Sequence, residues 1–486
     1  MLIMIDEAIP AAPGLFAPFG EVRTFEGRSL QAADLADADA LIVRSVTRVD
    51  AALLAGSPVR FVGTATSGTD HVDEAWLAGQ GIHFAAAPGC NARPVAEYVL
   101  TAILWLARHR RFDPRTRSLG VVGVGHTGSL VARWARALGM EVLLCDPPLQ
   151  DAGRNSSLLL LSGDRPAPVA PQSTPSREPG VPLQPSTMPP SPEWLSPSQL
   201  LARADIITLH VPLTDAGPYA TREMVNADWL AAMRPGAMLI NTARGEVVSE
   251  PAVIEARRSD RLSGLVIDVW ATEPAINEAL VEVCDIATPH VAGYSIEARR
   301  RAVSAIFDAL AAWTGTPPPT ASRAVLGPDP NRADPDRGRD QQRVGSAVRT
   351  DEVSEAFISE KVRTADPTLL SALLEPLETA CPLSNIDARL RSAAADPFPF
   401  AGQCVGSAVR TDESVGSAVR TDEVSEAFIP EQVRTADPTA LAERFDGLRS
   451  AVSHRREFSD YRLSPVQFTP AAAEFLREVG FRFDPP

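Results

Sequence analysis

Six apolar runs in series, SLGVVGVG, MEVLLCD, ADIITLHVP, GAMLINTA, LSGLVIDVW and CDIATPH, occupy the chain from Leu119 to Pro289. Each has the length of a strand, and helix-like segments separate them. Parallel strands need such crossovers, so the series predicts an open, doubly wound α/β sheet. The same rhythm precedes it from Met1 to about Phe84, where ALIVRS and VRFVGTA alternate with the helix-like VDEAWLAGQG. A helical stretch from about Pro94 to Arg110 joins the two series, with proline at a first-turn position.

At 486 residues the chain exceeds the size at which one core keeps growing, and two or three domains are expected. The rhythm divides it into 1–110, completed by about 290–320, and 111–289. Ten prolines between Arg165 and Pro192, mixed with Ser, Thr and Gln, rule out a helix or central strand there, so 151–195 reads as an exposed insert. A second break is an internal repeat. VGSAVRTDEVSEAFISEKVRTADPT begins at Val344, a near copy at Val415 and a truncated copy at Val405. Two full copies are too few for a stacked repeat fold. Residues 326–368 therefore read as linker and repeat insert, and 369–486 as a small α+β domain interrupted by the insert 405–439. The repeats are expected to contribute nothing to catalysis.

The charge balance narrows the partners. Lys plus Arg total 46 against 61 Asp plus Glu, and the net charge of -15 opposes attraction to nucleic acid or anionic lipid. Cys90, Cys145, Cys284, Cys381 and Cys404 have neither metal-ligand spacing nor a disulfide framework, so no metal and a reducing, cytoplasmic location are expected. The start MLIMIDEAIP lacks a signal peptide's basic region, and the longest apolar stretch, YVLTAILWLA, is about half a membrane span, so no membrane partner is expected.

GVVGVGHTGS places Gly123, Gly125 and Gly128 in G-x-G-x-x-G spacing between an apolar run and the helical pattern SLVARWARALG. In that setting the first glycine permits a tight turn, the second lets backbone approach a pyrophosphate, and the third allows close helix packing. The helix N-terminus attracts the anion. The next run ends at Asp146, where a carboxylate meets ribose hydroxyls and repels a 2'-phosphate, and the next arginine is Arg154. NAD is therefore expected rather than NADP.

Three polar residues stand at the ends of later runs: Arg244 in NTARGEVV, Glu273 in DVWATEP and His290 in TPHVAGYS. Strand C-termini face the ligand crevice of such a sheet, so the three can converge. An arginine grips a carboxylate in two parallel hydrogen bonds, and a histidine takes a hydroxyl proton while a neighbouring glutamate orients its ring. Each also has an ordinary reading, as surface cation, loop carboxylate and buried strand-end residue. What favours catalysis is their joint presence behind a dinucleotide motif.

In this order GVGHTG, NTARGEVV, DVWATEP and TPHVAGYS resemble the D-isomer-specific 2-hydroxyacid dehydrogenase family. VRSVTRVD, FVGTATSGTDHVDEAWL, AAPGCNARPVAEYV and LLCDPP narrow the likeness to its members that act on 4-phospho-D-erythronate. It spans Met1 to about Gly315 apart from the Pro-rich insert, and returns weakly in Leu369 to Gly402 and Leu441 to Phe483.

The resemblance implies a flavodoxin-like substrate domain, a Rossmann NAD-binding domain and a C-terminal dimerisation domain, hence a homodimer. The repeats that interrupt the last of these depart from the family pattern. It also implies that Arg244 and Glu273 are catalytic and His290 is the acid/base, with Ser45, Thr66 and Tyr294 touching substrate. Asp146, Val211, Asp268 and Gly293 would touch the nucleotide. Arg44 is a candidate for the phosphate, whereas Ser45 and Thr66 also read as turn-closing residues and His71 as a packing residue. The implied reaction yields 3-hydroxy-2-oxo-4-phosphobutanoate on the way to pyridoxal 5'-phosphate. Two alternatives stay open: a relative acting on phosphoglycerate or hydroxypyruvate, and a non-catalytic NAD-binding regulator.

Overall fold

The computed structural model describes residues 1–9, 12–152 and 193–316, and from the C-terminal part Leu383, Arg449, Glu457, Arg462, Leu463, Leu476, Arg477, Val479, Phe481, Arg482 and Phe483. The expected linker 326–368 and repeat insert 405–439 lie outside the described residues, as does most of the Pro-rich segment.

The first sheet holds β1 (Leu2–Asp6), β2 (Glu21–Phe25), β3 (Ala40–Val43), β4 (Phe61–Thr64) and β5 (His83–Ala85) in the parallel order β2-β1-β3-β4-β5. β1, β3 and β4 are buried throughout, because both faces of the sheet are covered. Alternate side chains enter different layers. Ile3, Ile5 and Ile42 pack with Phe16 and Phe307, while Met4, Leu41 and Val43 pack with Leu54, Val59 and Leu77.

The second sheet contains β6 (Ser118–Val122), β7 (Glu141–Cys145), β8 (Glu193–Trp194), β9 (Ile206–Leu209), β10 (Ala237–Asn241), β11 (Leu262–Ile267) and β12 (Ile286–Ala287). Their order is β12-β11-β10-β9-β6-β7-β8, all parallel. All six expected runs form strands. The seventh, β8, corrects the expected insert boundary at 195, since Glu193 and Trp194 pair with Leu143 and Leu144. Two residues after a proline carry too little pattern to announce a strand. The order reverses between β6 and β9, which opens a crevice where both strands end.

Two helices connect the sheets. The helix Ala92–Arg110 falls in the first domain by its sequence rhythm, yet Val95, Tyr98, Val99, Ile103 and Leu106 pack with Leu119, Val121, Val131 and Trp134 of the second. Its nearly all-round burial makes it a core element there. The helix Ile296–Thr314 runs the other way and sets Val303, Ile306, Phe307 and Leu310 against Ile3, Ile5 and Phe61. Each such buried side chain contributes about 1.5–3 kcal/mol.

Described residues of the C-terminal part pack on this frame. Leu383, Leu476, Val479 and Phe481 join the core around Trp134, and Arg93 donates to the Val479 carbonyl at 2.9 Å. β13 (Arg462–Leu463) pairs parallel with β14 (Arg482–Phe483). Glu457 is fully buried and paired with Arg301, with Arg93 at 3.7 Å and the Ser295 hydroxyl at 3.0 Å. Such partners are required, because an unpaired buried carboxylate costs several kcal/mol. Among the described residues no helix is long and apolar enough to cross a membrane.

Candidate active site

The three motif glycines are needed for three different reasons. Gly123 leaves β6 at φ +86°, and a β-carbon there would meet the His210 backbone at 2.7 Å. Gly128 permits close packing, since its β-carbon would sit 1.9 Å from the Gly123 carbonyl oxygen. Gly125 instead has no heavy atom within 4 Å of that position. It caps the helix His126–Ala137, so open space lies where unpaired amides and the helix dipole attract an anion.

Asp146 stands across from this loop at the end of β7. Its Oδ2 accepts from the Val124 N–H at 2.8 Å and its Oδ1 from the Leu149 N–H at 3.1 Å, which ties the carboxylate to the glycine loop. Both oxygens keep lone pairs for ribose hydroxyls. Val211 lies half-buried just past β9, beside Gly123. Open space at Gly125 and a fixed carboxylate at Asp146 fit a dinucleotide. His210, next to Val211, carries no mark in the sequence. Its Nε2 lies 3.0 Å from the Thr208 hydroxyl, and burial pushes it down to about 3, so it is neutral at neutral pH.

The other end of the crevice is organised by Asp268. Its buried carboxylate accepts from the N–H groups of Val291 at 2.8 Å and Ala292 at 3.0 Å, and from the Thr288 hydroxyl at 2.6 Å. The Tyr98 hydroxyl lies 2.7 Å from that of Thr288, so the long helix Ala92–Arg110 supports the same turn. The Asp268 carbonyl accepts from the His290 N–H at 2.6 Å. Burial raises the Asp268 carboxyl, against the His290 charge and the three hydrogen bonds. The turn holds His290 at φ +54°, which costs a non-glycine residue roughly 1–2 kcal/mol.

That conformation places His290 Nδ1 2.8 Å from Glu273 Oε2 and 3.0 Å from Oε1. A carboxylate facing Nδ1 fixes the proton there, so the neutral ring carries its lone pair on Nε2. Burial pushes the Glu273 carboxyl up. The charge and hydrogen bond of His290, the Arg449 charge and the Trp270 N–H at 3.0 Å outweigh it and hold the group below the ordinary carboxylate value.

Arg244 follows β10, two strands from β12, so the two exits lie about 10 Å apart. Arg244 Nε donates to Asp70 Oδ2 at 2.6 Å and Nη1 to the Ala243 carbonyl at 2.7 Å. Nη2 lies over Gly68, where a β-carbon would stand 1.7 Å away. The loop after β4 in the first sheet therefore seats the arginine of the second. Asp70 and Gly68 do not stand out in the sequence, where one loop carboxylate and one loop glycine look like many others.

The expected substrate contacts are less uniform. Ser45 is exposed after β3. The Thr66 hydroxyl lies 2.7 Å from that of Thr64 and donates to the Gly68 carbonyl at 2.9 Å, as its turn-closing reading requires. His71 Nε2 is 2.9 Å from the Thr64 hydroxyl. Burial, opposed by Asp70 and aided by Arg244, lowers His71 to about 4. Arg44 Nε lies 3.0 Å from the buried Asp6 carboxylate. Gly293 packs against Asn91, and Tyr294 lies half-buried with Arg449 over its ring at 4.9 Å. Burial pushes the Cys90 and Cys145 thiols up to about 12, which removes them as nucleophiles.

A polar recess of about 580 Å³ opens at the opposite end of the second sheet, lined by residues that include Arg115, Arg117, Glu141, Arg203, Asp205 and Arg234. Its arginines pair with Asp113, Asp205, Glu141 and Glu193, which makes it a surface ion network away from the strand C-termini.

The model of the D-isomer specific 2-hydroxyacid dehydrogenase NAD binding domain matches residues 183–292. The erythronate-4-phosphate dehydrogenase of Sodalis glossinidius (strain morsitans) is 43% identical over 328 residues, covering 68% of this chain and 78% of that protein. That of Escherichia coli (strain ATCC 8739) is 41% identical over 315 residues, 65% of this chain and 74% of the relative. Among solved structures, the TT0316 protein from Thermus thermophilus is 27% identical with a TM-score of 0.50, covering 66% of this chain and 99% of that one. The NAD-dependent formate dehydrogenase from Staphylococcus aureus shares the fold, with a TM-score of 0.51 at 23% identity over 65% of this chain and 97% of the other.

Proposed function

This chain belongs to the D-isomer-specific 2-hydroxyacid dehydrogenase family, and from that premise we propose how its residues carry the reaction. The activity is NAD-dependent oxidation of 4-phospho-D-erythronate at its 2-hydroxyl to 3-hydroxy-2-oxo-4-phosphobutanoate, a step toward pyridoxal 5'-phosphate. The phosphoglycerate and hydroxypyruvate alternatives are not favoured, and neither is a non-catalytic regulator.

Bound NAD would supply the acceptor for the hydride that leaves C2. Gly123, Gly125, Gly128, Asp146 and Val211 hold the nucleotide. Gly293 and Asp268 shape the turn beside it. Arg244 takes the substrate carboxylate with the Nη hydrogens not committed to Ala243. His290 receives the 2-hydroxyl proton on Nε2 as the hydride leaves. Glu273 keeps Nδ1–H in place and stabilises the imidazolium that forms. Ser45 and Thr66 line the substrate side through the loops after β3 and β4, and Tyr294 closes it. The protein works as a homodimer in the cytoplasm.

The observation that carries these roles is the His290–Glu273 pair, at 2.8 Å, set two strands from an arginine with free donors. The test is nicotinamide reduction with 4-phosphoerythronate, phosphoglycerate and glycerate, in the presence of a 2-oxo acid to reoxidise any tightly held reduced nucleotide. His290→Ala should lose about 10²- to 10⁴-fold in kcat yet still bind NAD. Turnover near that of the native enzyme would refute the assignment.

A further inference from the structure

We propose that Arg449, supplied by the C-terminal part of the chain, binds the substrate's phosphate and sets the preference for a phosphorylated hydroxy acid. The proposal rests on the reading above that the substrate is 4-phosphoerythronate. Such a substrate is anionic at both ends. In that reading Arg244 takes the carboxylate, with Asp70 and the Ala243 carbonyl holding two of its five donors in place. A second cation is needed for the other end, and one stands beside Tyr294, the residue proposed above to close the substrate side.

Arg449 has the required placement. Its guanidinium carbon lies 4.9 Å from the centroid of the Tyr294 ring. Its Nε is buried and has no hydrogen-bond partner among the described residues. A buried donor of this kind is unfavourable until an acceptor arrives. The charge of Arg449 reaches Glu273, yet among the described residues no hydrogen bond joins Arg449 Nε to it.

The position of Arg449 is supported independently. Eight residues on, the buried Glu457 pairs with Arg301 and Arg93 and accepts from the hydroxyl of Ser295, the neighbour of Tyr294. Glu457 is thereby pinned against the start of the helix Ile296–Thr314.

Two further arginines, Arg299 and Arg44, stand near Tyr294. Arg299 stands in the first turn of that helix, where burial and the nearby Arg44 both disfavour its charge, while Tyr294 and Glu297 favour it. Arg44 is partly neutralised by Asp6. A phosphate dianion would join these arginines, and its several oxygens match the planar fork of Arg449.

The experiment compares kcat/KM for 4-phosphoerythronate with kcat/KM for erythronate, in the native enzyme, R449M and R449K, together with competitive inhibition by inorganic phosphate. In R449M the phosphorylated-to-unphosphorylated ratio should fall by about tenfold to a hundredfold, with a parallel weakening of phosphate inhibition. R449K, which keeps charge and stem but loses the fork, should fall between. A ratio and a phosphate inhibition unchanged in R449M, with both substrates weakened alike, would mean that Arg449 only supports Tyr294 and Glu273, and would overturn the proposal. If R449M does not fold, R449K decides, and an unchanged ratio there overturns it equally. A native enzyme that oxidises another hydroxy acid and not 4-phosphoerythronate would instead sink the proposed function, and the Arg449 role with it.

Discussion

Gly68→Ala should disable Arg244 while leaving the protein folded. The new β-carbon would stand 1.7 Å from Nη2 and 3.0 Å from Cζ, whereas ordinary contact begins near 3.4 Å. The guanidinium must therefore retreat by roughly 2 Å. That movement breaks its 2.6 Å bond to Asp70 and its 2.7 Å bond to the Ala243 carbonyl. Misplacing a positioning group by about 1 Å costs on the order of 10²-fold, so kcat/KM should fall by roughly 10²- to 10³-fold. Stability should hardly change. Gly68 does not use the left-handed region, and the clash is with the tip of a flexible side chain. Glycine-to-alanine changes at compatible positions even stabilise by about 0.4–1 kcal/mol. Steady-state kinetics with 4-phosphoerythronate, read beside a thermal melt, tests both halves. Gly79→Ala is the control, with no heavy atom within 4 Å of its β-carbon position and no role in the site. A G68A enzyme with native melting and kcat/KM within threefold of native would refute the coupling of this glycine to Arg244.

Two further outcomes follow from the site. Stability should drop on acidification below pH 6.5, because burial lowers His71 to about 4 and His210 to about 3 from an ordinary 6.5. The unfolded chain binds protons first, so each neutral histidine stabilises fully above pH 6.5 and progressively less as pH falls toward its folded value. The loss is about 2 kcal/mol per histidine at pH 5. Urea midpoints at pH 7 and pH 5 check this, and His71→Gln should remove one share of the pH dependence; an identical pH dependence in that variant counts against it. Asp146→Asn removes the charge that repels a 2'-phosphate but keeps one acceptor for the Val124 or Leu149 N–H. The kcat/KM ratio of NADP to NAD should rise on the order of tenfold, and a ratio equal to that of the native enzyme would show that Asp146 does not select the nucleotide.

Much of the frame was legible in advance because its physics is local. Strands covered on both faces read as unbroken apolar runs, and for that reason β6, β7, β9, β10, β11 and β12 were visible, whereas two-residue β8 was not. Gly123, Gly125 and Gly128 stood out because a phosphate-binding turn spaces its glycines along the chain. Arg244, Glu273 and His290 were visible as polar residues at strand ends. Gly68 and Arg449 carried no such mark.

By itself the amino-acid sequence determined the parallel strands, the dinucleotide loop and the chemical types at the reacting end, since each depends on neighbours within a few residues. Only the tertiary structure decided how those types are aimed. Asp70 meets Arg244 across 174 residues, and Ser295 meets Glu457 across 162. Asp268 holds His290 at positive φ through hydrogen bonds to the turn beyond it. A hydrogen bond or ion pair between distant residues needs only two complementary groups brought together by the fold, and it leaves no periodic trace in the chain.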